Sequence, residues 1–239
     1  MKIEARRFLN GKYAFLILGL VSLCNILGYV LLITIDHVQV QSIYLLFEST
    51  YTVFTQFGIL SFSPLVISLF ANDYKEKNIL FYKSAGYSAV QYFANKVLVL
   101  IIGFLGGITL VTVVVAAIFR DFSILHIMLS YYWLVTICFI FEISLWAFLF
   151  KSFIFSFFVN FTLWIVLTVI SSIGGVFQYA AYYDASSPLY ENLVQFLRSQ
   201  PCESVMSLCL QSGFYDLCVI VVVFVMVIIF KRRWNRNGI

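Results

Sequence analysis

The sequence predicts an all-α polytopic membrane protein of six spans with both termini in the cytoplasm. Three observations carry that prediction. First, 62% of the 239 residues are hydrophobic and only 11% are charged, with a mean hydropathy of +0.99. A soluble domain is about 45–50% apolar and about 25% charged, so this chain could not cover a globule with polar surface. That excludes a soluble enzyme, a disordered chain and a nucleic-acid-binding domain. Second, the apolar residues fall into runs of membrane length. Third, the charges between the runs are sorted by sign.

The runs cover 13–35, 50–71, 97–119, 125–150, 154–177 and 214–230. Each reaches or approaches the about 20 residues with which a helix crosses a ~30 Å hydrocarbon core. Spanning strands would be about half as long and would alternate apolar with polar residues. Stretches such as 219–230 do not alternate, so the spans read as helices. The whole chain, 1–239, forms one transmembrane domain.

Orientation follows from the basic residues. Of the fifteen Lys and Arg, all but Arg120 and Arg198 fall before span one, between spans two and three, between spans four and five, or after span six. Acidic residues favour the other side: Asp36, Glu48, Asp121, Asp184, Glu191, Glu203 and, at the membrane edge, Asp216. The positive-inside rule then puts both termini in the cytoplasm, as an even number of spans also requires. Tyr131, Tyr132, Trp133, Tyr179, Tyr182, Tyr183 and Trp234 stand where interfacial anchors belong.

Span one follows a basic stretch with Ile3, Phe8 and Leu9 among Lys2, Arg6 and Arg7, which suits a short interfacial helix. The run itself is too long for the apolar region of a signal peptide. Span two carries Ser49, Thr52, Gln56 and Ser63, whose spacing of three, four and seven puts them on one helix face. Such a stripe either lines a polar path or bonds helices together. Pro64 predicts a kink. Span three holds Gly103 and Gly107 beside Gly106, a small-residue motif expected to serve packing within the chain. Span four contains Glu142, the one carboxylate well within a run. At that depth its charge costs at least ~2.5–3.5 kcal/mol. Glu142 is therefore protonated, hydrogen-bonded to another helix, or facing water, and it is a functional candidate by position. Span five adds Asn160, Thr168 and Ser171.

The stretch 72–96 opens with mixed charge (Asp73, Lys75, Glu76, Lys77), continues through an apolar patch (Ile79, Leu80, Phe81) and Lys83, breaks at Gly86 and restarts at Ser88. Ser88 suits an N-cap. This pattern describes a helical hairpin between spans two and three, and its apolar patch reads either as a docking surface or as a loop resting on the membrane. The stretch 178–213 is too long for a turn. Ser187-Pro188 marks a helix start, and Leu189, Leu193, Phe196 and Leu197 follow helical spacing up to Pro201. One or two amphipathic helices are expected there.

No catalytic constellation is present. The chain lacks H-E-x-x-H, a P-loop and G-x-S-x-G. The cysteines show no metal spacing, and Cys202 and Cys209 are placed to share a helix face.

In this arrangement the chain resembles the small six-span permeases of type 2 ABC exporters, and within them the bacteriocin-immunity and peptide-export permeases. The resemblance covers the whole architecture. At residue level it rests on 73–77, 79–81, Gly86-Tyr87-Ser88 and Lys96 in the span two–three loop. The family commonly shows Glu-x-Gly-Thr there; this chain has Glu76-Lys77-Asn78-Ile79 instead. The resemblance implies a permease subunit that exports an amphipathic peptide or lipid-like substrate. Two copies of a cytoplasmic ATPase, holding ATP and Mg, would dock on this loop. A second permease copy or a related permease would complete the pathway. Residues 78–84 would transmit the ATPase's closure to spans one and two, which would move against span five of the partner. No cofactor is implied on this chain itself. An intramembrane enzyme using Glu142 and a substrate-binding subunit of an uptake system remain as alternative readings.

Overall fold

Six helices of the computed structural model are long and apolar enough to cross a membrane. The structure describes residues 4, 8, 12–35, 42–185, 187–198 and 205–232. The six are α1 (Tyr13–Thr34), α2 (Ile43–Lys75), α4 (Ala89–Phe119), α5 (Leu125–Leu149), α6 (Phe153–Ser171) and α8 (Val205–Ile229). The short α3 (Asn78–Ser84) separates α2 from α4. A 3-10 turn (Gly175–Ala181) and α7 (Pro188–Leu197) separate α6 from α8. Among the described residues there is no strand, as expected where lipid offers no partner to an open sheet edge. Expectations about Lys2, Ile3, Arg6, Arg7, Leu9, Asp36, Pro201, Cys202, Glu203, Arg233, Trp234 and Arg236 lie outside the described residues.

Helix ends differ from the hydropathy runs for local reasons. α2 begins at Ile43, where the Ser42 side chain accepts from the Tyr44 N–H. Its 33 residues extend for about 50 Å, so Glu48 and Asp73 sit near opposite ends of one helix rather than in loops. Pro64 faces outward and the helix continues through it. α6 stops at Ser171, because Gly174 and Gly175 take left-handed φ values of 87° and 63°. α8 starts at Val205 and runs through Gly213 without a break, which merges the second expected amphipathic helix into the last span.

α5 and α2 form the centre. α5 packs on α2, α4, α6 and α8, whereas α1 packs on α2 and α4. Tyr131 and Tyr132, expected at the interface, are instead buried in this core. Phe54 meets Tyr132 edge-on at 4.9 Å between ring centres, and Phe62 lies 4.7 Å from Phe104. Tyr182 and Tyr183 are buried as well. Aromatic pairs of this geometry add about 0.5–1.5 kcal/mol each beyond area burial.

The small-residue motif of α4 packs within the chain. A Cβ on Gly107 would lie 2.7 Å from Cγ2 of Ile17, and one on Gly103 would lie 2.4 Å from the Phe8 ring. The Ser88 cap is closed on both sides: Ser88 Oγ accepts from Gln91 N at 3.2 Å and Gln91 Oε1 accepts from Ser88 N at 3.0 Å. Ser88→Ala is expected to cost about 1 kcal/mol. Amide exchange should quicken in the first turn of α4 and stay unchanged in α5.

Candidate functional site

The hairpin between α2 and α4 is built by local rules. Gly86 turns the chain with φ +80°, and the Ser88 box restarts the helix. Within α3 a residue advances by a little over a quarter turn, so three consecutive apolar residues cannot share one face. Ile79 is fully buried and Tyr82, one turn later, is buried too, while Leu80 and Phe81 are 44% and 55% exposed. This corrects the expected docking set. Ile79 faces the bundle, and only Leu80 and Phe81 form an outward apolar pair. Lys75, Glu76, Lys77, Gly86 and Ser88 surround that pair and are exposed. Partial burial lowers the Lys83 amine from its usual range.

Asp73 also leaves the docking set, because it is fully buried. Its Oδ2 lies 2.6 Å from Lys96 Nζ and accepts the Tyr92 hydroxyl at 3.0 Å. Its Oδ1 accepts from the Asn78 amide at 3.3 Å. Lys96 donates to the Leu69 carbonyl at 2.7 Å and stands 3.7 Å from Glu4. Glu4 in turn accepts the Tyr82 hydroxyl. One buried cluster thus joins the N-terminal segment, the end of α2, the inner face of α3 and the first turns of α4. Charge sorting by loop places Asp73 and Lys96 in one cytoplasmic stretch but pairs neither. Their pairing across 23 residues left no local signal.

At the other end of the bundle the polar stripe of α2 finds partners. Ser49 donates to the Gly28 carbonyl at 2.8 Å. Thr52 meets the Tyr190 hydroxyl at 2.6 Å, and Gln56 donates to Asp184 at 2.9 Å. Ser63 bonds back to Ile59 within its own helix. The expected α7 is present, with Ser187 accepting from the Tyr190 N–H and Leu189, Leu193 and Leu197 buried. Arg198 closes this latch on Glu48 at 2.6 Å. The hydrogen bond to Glu48, with its charge, raises the guanidinium pKa from its usual value. Ser49, Thr52, Tyr190 and the Glu48–Arg198 pair line a cleft of about 470 Å³.

Glu142 has no partner on another helix among the described residues. Its hydrogen bond is with the Cys138 thiol, 3.8 Å away on the same helix. Of the three expectations for Glu142, a bond to another helix is not found among the described residues, and the carboxyl lines a cavity of about 330 Å³ with Asn160 and Trp164. Asn160 is 3% exposed and donates to the Ser156 carbonyl at 3.0 Å. A smaller cavity of about 50 Å³ adjoins, sharing Glu142 and Trp164 and reaching Tyr183 and Asp184. Beside it Tyr183 donates to Asp216 at 2.7 Å. Burial and then the Asp216 charge push that phenol upward, so it remains a donor. Sequence reading left Asp216 at the membrane edge because it took the last span to start at 214; a helix from Val205 carries it inside. Cys209 is a free thiol. No metal-holding group of His, Cys, Asp and Glu occurs among the described residues.

The comparisons with known proteins agree with a membrane transporter. A family model described as the peptide export permease protein YydJ family matches residues 1–239. A protein of Bacillus subtilis (strain 168) named "Probable peptide export permease protein YydJ" is 28% identical over 241 aligned residues, which cover 100% of both chains. No solved structure matches. With six membrane-length helices and a match along its whole length, the chain is a multi-pass membrane permease and belongs to the YydJ family of peptide export permeases.

Proposed function

We propose that the chain is the membrane-spanning subunit of an ABC exporter that moves an amphipathic peptide across the bacterial cytoplasmic membrane. A separate ATPase, in two copies holding ATP and Mg, supplies the work. The observation that carries this reading is the two-faced α3. Leu80 and Phe81 stand outward amid charged residues, while Ile79 and Tyr82 are sunk into the bundle. The charge distribution supports a cytoplasmic position for this helix and both termini, where an ATPase groove can receive the exposed pair.

The buried cluster behind α3 makes the hairpin a lever. Asn78 is bonded to Asp73, Tyr82 to Glu4, and both carboxylates face Lys96. A displacement of Phe81 is therefore carried to the ends of α2 and α4 together. At the far end, the Glu48–Arg198 latch is exposed on the arginine side. Such pairs contribute at most about 1 kcal/mol, weak enough to open in each cycle. A second permease copy packs against the faces of α1 and α6, the latter only 11% buried within one chain. Membrane lipid covers the remainder.

The test is to purify the chain from its native membrane and look for a bound nucleotide-hydrolysing subunit of ~25–35 kDa. Wild type should carry it together with ATP hydrolysis. Leu80→Asp with Phe81→Asp should lose both while the chain keeps its elution volume. Retention of the subunit by the double variant would overturn the docking site.

A further inference from the structure

The cleft at the end of the bundle away from the hairpin joins an ion pair to an apolar track. Its volume of about 470 Å³ falls within the about 300–1,000 Å³ of small-ligand sites. Glu48 of α2 and Arg198 of α7 both line it. Arg198 Nη2 lies 2.6 Å from Glu48 Oε1, and Arg198 Nε lies 3.4 Å from Glu48 Oε2. One N–H on each of those nitrogens serves the carboxylate, which leaves the rest of the guanidinium fork for an anion. The carboxylate keeps acceptor sites for a further donor. With the arginine side chain 57% exposed and the glutamate 17%, the pair stands at the mouth. Thr52 and Tyr190, whose hydroxyls meet at 2.6 Å, belong to the same polar wall.

Most of the remaining lining is apolar, with Leu31 of α1, Ile35 at its C-cap and Leu45 of α2. Leu31 and Ile35 are four residues apart and share a helix face. The same row continues through Leu27 and Leu23, which are 41% and 47% exposed. α1 is only 28% buried over its apolar window, so this row meets lipid. From Leu23 to Ile35 it runs for about 18 Å, a little more than one leaflet of a ~30 Å hydrocarbon core. One charged pair at the end of a leaflet-long apolar track is the outline of a phospholipid. An amphipathic peptide helix would instead need a charged face along its whole length. Because the pair carries both signs, the matching head group carries both as well. Its anion takes the spare guanidinium N–H groups, and its cation needs N–H donors for the Glu48 carboxylate.

We propose that this cleft binds a zwitterionic phospholipid with a primary ammonium, such as phosphatidylethanolamine. The phosphate lies on Arg198, the ammonium on Glu48 and one acyl chain along Leu31, Leu27 and Leu23. The lipid thereby ties α7 to α1 as well as to α2. The proposal goes beyond the export reading and does not depend on it.

The test uses the full chain in dodecyl maltoside micelles and phosphatidylethanolamine with a dye on one acyl chain. Unlabelled competitors are phosphatidylethanolamine, phosphatidylcholine, phosphatidylglycerol and the bare head group, glycerophosphoethanolamine. Phosphatidylcholine keeps the positive charge without N–H donors, and phosphatidylglycerol lacks the charge. Wild type should release the probe to phosphatidylethanolamine at about tenfold lower concentration than to either other lipid, as one charge-assisted hydrogen bond implies. Glu48→Gln should bring that ratio near one, and Arg198→Gln should weaken all three lipids. Glu191→Gln, at an exposed position of α7 outside the cleft, should keep it. Because the lipid is varied on an unaltered chain, the wild-type ratio decides even where a variant fails to fold. A wild-type ratio near one, or a ratio unchanged in Glu48→Gln, overturns the proposal. So does release by the bare head group at the concentration of the lipid, which would assign the cleft to a soluble zwitterion. Release by a lysine-bearing amphipathic peptide at concentrations where phosphatidylethanolamine has no effect would assign it to the peptide and also overturn it. None of these measurements involves ATP or transport, so their failure leaves the export reading standing.

Discussion

Lys96→Met is expected to lower the stability of the chain by about 3–5 kcal/mol, the usual result of stripping one partner from a buried ion pair. Lys96 is 3% exposed and Asp73 is fully buried. Their contact at 2.6 Å is close, and Glu4 at 3.7 Å leans on the same ammonium. The rings of Phe70 and Tyr92 lie 5.6 and 5.8 Å from it. Without the lysine two carboxylates face each other in a dry site. Asn78 and Tyr82 are bonded to those carboxylates, so the inner face of α3 loosens too. The midpoint of unfolding by dodecyl sulfate in mixed micelles checks this. Adding Asp73→Leu to Lys96→Met should recover a large part of the loss, since an apolar replacement of a whole buried pair is often neutral. A midpoint unchanged in the single variant would mean that the cluster bears no charge-dependent load.

Gly28→Val is expected to cost about 1–3 kcal/mol through overpacking. A Cβ at Gly28 would stand 2.6 Å from Cα of Thr50, and also 2.6 Å from its Cγ2. Backbone cannot step aside as a long side chain can. α1 would have to leave α2 and break the Ser49 bond to the Gly28 carbonyl. Gly19→Ala is the control. Nothing lies within 4 Å of that position, and alanine is the better helix former by about 0.8–1.0 kcal/mol. The two variants should therefore shift the unfolding midpoint in opposite directions. Equal shifts would refute the close approach of α1 and α2.

Hydropathy made the six spans legible because a lipid-crossing helix needs an uninterrupted apolar run. The Ser88 cap and the Ser187-Pro188 start of α7 were legible because a cap is decided by residues a few positions apart. Span ends were less so. Glu48 was read as loop because it is charged, yet α2 carries it and Arg198, 150 residues later, pairs with it. The 79–81 run read as one patch because sequence order hides helical rotation. Glu142 was singled out by its depth, but its lack of an interhelical partner among the described residues depends on how α5 packs on its neighbours.

The sequence by itself determined six membrane spans with a helical hairpin between spans two and three. Composition and run length act locally, and lipid leaves them no other solution. Tertiary structure alone decided which charges are solvated and which are buried. Asp73, Lys96 and Glu4 lock the hairpin to the bundle, while Glu142 lines a cavity and Asp216 takes the Tyr183 hydroxyl. A charge acquires its partner or lacks one only when distant helices pack, and no spacing along the chain encodes that meeting.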